Sequence, residues 1–82
     1  MPKIMFFVHT KDADRFASKL REHAVETPEV GFIKGDPTRR LVVFTVSAKN
    51  EEYFRTTAEN EFGLSGYTTP NSIPCWIYTA PP

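Results

Sequence analysis

Two histidines, one cysteine and a few neighbouring carboxylates are the side chains of this 82-residue chain that could do acid–base, nucleophilic or metal chemistry. Their spacing supports none of these uses. His9 ends an apolar run, and histidine is the usual proton shuttle near neutral pH. A general base also needs an orienting partner, and no residue at a suitable spacing supplies one, so His9 reads as an ordinary hydrogen-bonded residue at a strand end. His23 falls near the end of a helical segment, where a basic residue suits the negative pole. Cys75 would be nucleophilic only beside a basic group, and in apolar surroundings it reads as a small core residue. A single cysteine allows no internal disulfide and no cysteine-rich zinc site. The pairs Asp12/Asp14, Glu51/Glu52 and Glu59/Glu61 stand one or two positions apart, and such pairs do not face each other on a helix. Gly63-Leu64-Ser65-Gly66 follows a helix instead of opening one, which is the wrong context for a phosphate cradle. The expectation is a chain with no metal, no cofactor and no catalysis.

Binding chemistry is the alternative, and two sets of residues could carry it. Lys34, Arg39 and Arg40 cluster around a turn and could meet phosphates. RNA-binding sheets of this size carry K/R-G-F/Y-G/A-F-V-x-F/Y on a central strand. Residues 40–46 (Arg-Leu-Val-Val-Phe-Thr-Val) keep an arginine and one Phe of that pattern and lack its glycines and flanking aromatics. Ten Lys/Arg balance ten Asp/Glu, so the whole molecule has no net attraction for a phosphate backbone. Residues 1–46 carry eight basic against six acidic side chains, and residues 47–82 two against four. The second set is apolar. Eleven aromatic residues are the main resource of a small core, and more lie on strands than one sheet face can use.

The elements that position these residues follow from periodicity. Residues 3–9 are almost continuously apolar, which marks a strand buried on both faces. Thr10 or Asp12 can cap the helix that follows. Ala13, Phe16, Ala17, Leu20 and Ala24 fall on one helical face. Pro28 stops that helix. Val30 to Ile33 make a short strand, and Gly35-Asp36-Pro37-Thr38 has turn chemistry. Residues 40–47 make a second doubly apolar strand. Ser47 or Asn50 caps a second helix, whose inner stripe is Phe54, Thr57, Ala58, Glu61 and Phe62 and whose stop is Gly63. Residues 64–72 read as a Ser/Thr/Gly/Pro loop. Residues 73–79 read as a last strand, with Pro74 placing it at an edge.

The order strand, helix, strand, strand, helix, strand predicts one α+β domain over residues 1–82. The expected form is a ferredoxin-like βαββαβ sandwich, with an antiparallel sheet ordered 4-1-3-2 and two helices on one face. No apolar run approaches the ~20 residues that cross a bilayer. The first eight residues are too short for a signal peptide and lack a cleavage site, so the expected location is cytoplasmic.

Alternation along the strands sends Ile4, Phe6, Val8, Val42, Phe44 and Val46 toward the helices. Met5, Phe7, His9, Leu41, Val43 and Thr45 fall on the other face, joined by Trp76 and Tyr78 if Cys75 and Ile77 point inward. A bare apolar patch of that extent marks an interaction surface, unless the C-terminal segment or the loop around Tyr67 folds over it. The leading expectation is a non-catalytic protein-interaction module, a small regulatory or inhibitory protein. Phe7, Leu41, Val43, Tyr67, Trp76 and Tyr78 would contact another protein or a second copy of the chain. One alternative is a single-stranded nucleic-acid binder using the same face with Lys34, Arg39 and Arg40. Another is a dimeric α+β barrel that holds a small ligand near His9.

Overall fold

The computed structural model describes residues 3–69 and 77–78. Strand β1 spans Lys3–His9, helix α1 Ala13–Leu20, strand β2 Glu29–Ile33, strand β3 Asp36–Thr45 and helix α2 Glu51–Thr57. Two short strands follow, β4 at Tyr67–Thr69 and β5 at Ile77–Tyr78. The architecture is α+β. β1, β3 and β2 form the antiparallel body of the sheet, β4 pairs with β1 and β5 with β2, in the order β4-β1-β3-β2-β5.

β1 pairs with β3 along its whole length, Lys3 opposite Thr45 and His9 opposite Arg39. Directly opposed residues share a face, so this register sorts every side chain of the two strands. Ile4, Phe6 and Val8 and, from β3 and the residue after it, Val42, Phe44 and Val46 are buried in one cluster with Ala13, Phe16 and Leu20 of α1 and Phe54 of α2. Both helices therefore cover one face, as alternation predicted. Five of the phenylalanines weld the layers together. The Phe16 ring lies 5.1 Å from Phe6, 5.5 Å from Phe44 and 4.8 Å from Phe62, each edge to face, and Phe44 lies 5.0 Å from Phe54. Such pairs add ~0.5–1.5 kcal/mol each beyond the area they bury.

The helix ends differ from expectation. Neither Thr10 nor Asp12 caps α1. A 3-10 turn at Thr10–Asp12 leads into the helix, and the side chain of His9 accepts the Lys11 N–H at 3.2 Å. The Thr10 hydroxyl is engaged elsewhere, donating to the Pro37 carbonyl at 2.7 Å. α1 ends at Leu20, a 3-10 turn carries Arg21–His23, and Ala24 is already extended. At α2 neither Ser47 nor Asn50 makes a side-chain cap bond. The helix widens into a π-turn at Ala58–Phe62 and closes at Gly63, whose φ of 67° is the left-handed value that favours glycine. Glu61, expected in the inner stripe, is exposed and pairs with Lys19 at 2.9 Å. Phe62, also expected in the stripe, does pack inward and meets Phe16.

Strand β3 begins earlier than the turn chemistry suggested. The hairpin turn is Lys34-Gly35, with Ile33 opposite Asp36 and Gly35 at φ 78°. The β2–β3 register then shifts, so that Phe32 pairs with Arg40 and residues 37–39 have no partner on β2. Pro37, which has no N–H to give, falls in that interruption.

The C-terminal third needs a larger correction. Residues 73–79 were expected beside β1. That place is held by Tyr67–Thr69, from the segment read as a loop, with Tyr67 opposite Met5 and Thr69 opposite Lys3. Only three residues separate this strand from Gly63, so the chain leaving α2 reaches the β1 edge first. Ile77–Tyr78 lies on the opposite edge, paired with Ile33 and Phe32 of β2. The rest of 73–79, with Cys75 and Trp76, lies outside the described residues.

Gly66 fits the chain over the core just before β4. A Cβ there would stand 2.7 Å from Cε1 of Phe6 and 3.0 Å from Ile4. The Gly66 carbonyl accepts from Arg55 Nη1 at 2.8 Å, which ties the start of β4 to α2.

Candidate interaction face

The sheet face away from the helices is set by the same β1–β3 register. Met5 lies opposite Val43 and Phe7 opposite Leu41, and β2 adds Glu29 opposite Val43 and Gly31 opposite Leu41. This row is apolar at its centre and charged at its ends. Lys3 at one end stands 4.0 Å from Glu29, and His9 and Arg39 face each other at the other.

The expectation of a bare patch is corrected. Leu41 and Val43 are 0% and 3% exposed, although neither belongs to the cluster under the helices, and Met5 and Phe7 are half-buried. The sheet therefore buries apolar side chains on both faces. The large apolar side chains that do stand exposed among the described residues are Val25 at 50% and Tyr53 at 44%. The Val25 N–H donates to the Thr45 carbonyl at 2.8 Å, and the Tyr53 ring lies tilted against His23 with ring centroids 4.7 Å apart.

Of the expected contact residues, the register brings Phe7, Leu41 and Val43 together and sets Tyr67 opposite Met5 at the β4 edge. Tyr78 pairs with Phe32, which belongs to the helix-side row through Arg40 and Val8. Trp76 lies outside the described residues.

The basic residues are mostly engaged in local structure. Arg39 Nε donates to Asp36 Oδ2 at 2.8 Å, and its guanidinium lies 5.4 Å from the centre of the Phe7 ring. Arg40 Nη1 donates to the Thr10 hydroxyl at 3.2 Å and approaches the Pro37 and Arg39 carbonyls, while its guanidinium lies 4.3 Å over Phe32. Arg40 thus fastens the end of β1 to the hairpin. Lys34 is exposed at the turn. Asp36 accepts from the Thr38 hydroxyl, the Thr38 N–H and Arg39. The Thr38 hydroxyl bond, followed by the Arg39 bond, holds its carboxyl down to about 2, from an ordinary 3.8. A carboxylate held this way is a fixed structural acceptor.

His9 is exposed and spends Nδ1 on the Lys11 N–H, so its role in the described structure is to cap a turn. Several of the carboxylates reach basic side chains. Asp12 stands 3.6 Å from Arg15, Glu51 3.4 Å from Arg55 and Glu61 2.9 Å from Lys19. Among the described residues no three His, Cys, Asp or Glu side chains converge as a metal site. No helix of the described residues is long and apolar enough to cross a membrane. A hollow of about 210 Å³ beside α1, lined by Asp14, Ala17, Ser18, Arg21, Thr27 and Pro28, lies in the helix layer, apart from the sheet face.

Sequence reasoning missed His9 as a cap, Thr10 as the anchor of Arg40, and Gly66 as a point of close approach. His9 carried the one readable signal, because a hydrogen-bonding side chain just before a helical turn is in capping position. The chain matches no protein-family model, no curated protein and no solved structure.

Proposed function

We propose that this chain is a non-catalytic protein-interaction module of the regulatory or inhibitory kind, working from the sheet face opposite its helices. One observation carries the reading, the apolar row Met5, Phe7, Leu41 and Val43 on the face the helices do not cover. In an 82-residue chain both helices are spent on the other face. Leu41 and Val43 are already withdrawn from water, so the surface proposed for a partner is the half-buried Met5 and Phe7 beside them. Phe7 is the proposed anchor, since half-buried aromatics with a fixed ring dominate interface energies. Arg39 holds that ring from one side. Tyr67 and Trp76 supply further contacts in this reading, Tyr78 falls in the helix-side row and is left out of it, and the partner is another protein or a second copy. The proposed frame is ferredoxin-like, with Tyr67–Thr69 in the outer place beside β1, and the proposed compartment is the cytoplasm.

The nucleic-acid reading asks for cations that are free to meet phosphates. Arg39 and Arg40 are tied to Asp36, Thr10 and backbone carbonyls, which leaves Lys34 as the proposed contact with no internal bond described, so the protein reading is preferred. A tagged pull-down from lysate, run with and without nuclease, tests the choice when wild type and Phe7→Ala are compared side by side. Retention that survives nuclease and falls about tenfold in Phe7→Ala is expected, the loss of one interface anchor at ~1–2 kcal/mol. Retention that is equal in the two proteins, with Phe7→Ala folded by circular dichroism, overturns the proposal.

A further inference from the structure

We draw no further inference here: the strongest candidate, the exposed Tyr53 ring packed against His23 where the turn after α1 meets the start of α2, is an apolar surface patch, and nothing in the structure shows what covers it.

Discussion

His9, at the residue scale, shows how a side chain with catalytic potential can be used up by local structure. Its Nδ1 meets a backbone donor that would otherwise have no intrahelical partner at the start of the Thr10–Asp12 turn. Replacing it with Ala is expected to cost ~0.5–1 kcal/mol, the low end for a lost cap because the site is exposed. His9→Asn, which keeps an acceptor within reach of the same N–H, is expected to recover most of that, and urea midpoints of the three proteins compare them. An Asn variant no better than Ala would mean that the bond contributes nothing. Asp36 makes a second residue-scale case. Its folded carboxyl sits at about 2 against 3.8, so folding favours the charged form. The stability it supplies is fully present above about pH 3.8 and is lost as the pH falls through the folded value near 2. Wild type is therefore expected to lead Asp36→Asn in urea midpoint at pH 5, with the lead shrinking steadily between pH 4 and 2. A lead that stays constant across that window would show that the Thr38 and Arg39 bonds do not depend on the charge.

Glycine marks the joints at the scale of elements. Gly63 and Gly66 bracket the passage from α2 to β4, and each is required for a different reason. Gly63 needs its left-handed φ, whereas Gly66 needs the missing Cβ, because Phe6 occupies that space. Gly63→Ala should cost ~1–2 kcal/mol from backbone strain alone. Gly66→Ala should cost ~1–3 kcal/mol through overpacking, and the cost should fall when Phe6 is shortened to Leu in the same chain. Additive losses in that double mutant, read by chemical denaturation, would refute the clash. The same passage marks where legibility ended. β1, β3 and both helices were readable because each repeats its pattern over seven to ten residues, and the six helix-side strand residues were assigned from alternation alone. Tyr67–Thr69 has three residues and Ile77–Tyr78 two, too few for any period to register. Their places are decided by what stands free at each sheet edge, which no local pattern encodes. For the same reason the sequence leaves the burial of Leu41 and Val43 as one of two alternatives. Alternation tells which face a side chain occupies, but not what lies over that face.

In the proposed reading, two apolar faces on one small sheet divide the labour of the whole molecule between folding and recognition. The helix-side face is closed by Phe16, which touches Phe6, Phe44 and Phe62 and is fully buried. Removing that ring forfeits its buried area and several edge-to-face contacts at once, about 3–5 kcal/mol. A domain of this size holds only ~5–15 kcal/mol, so Phe16→Ala should lose a large share of its stability and melt at a much lower temperature. Phe7, adjacent to Phe6 on the same strand, points the other way and is half-buried. Phe7→Ala should cost markedly less than Phe16→Ala, since only part of its surface is withdrawn from water and the helix-side cluster stays intact. The proposed division therefore requires two measurements to part company. Thermal denaturation should show a large drop for Phe16→Ala and a small one for Phe7→Ala, while partner retention should fall for Phe7→Ala under conditions where it remains folded. Should Phe7→Ala unfold as readily as Phe16→Ala, the second face would be a second core, and its apolar row would belong to stability alone.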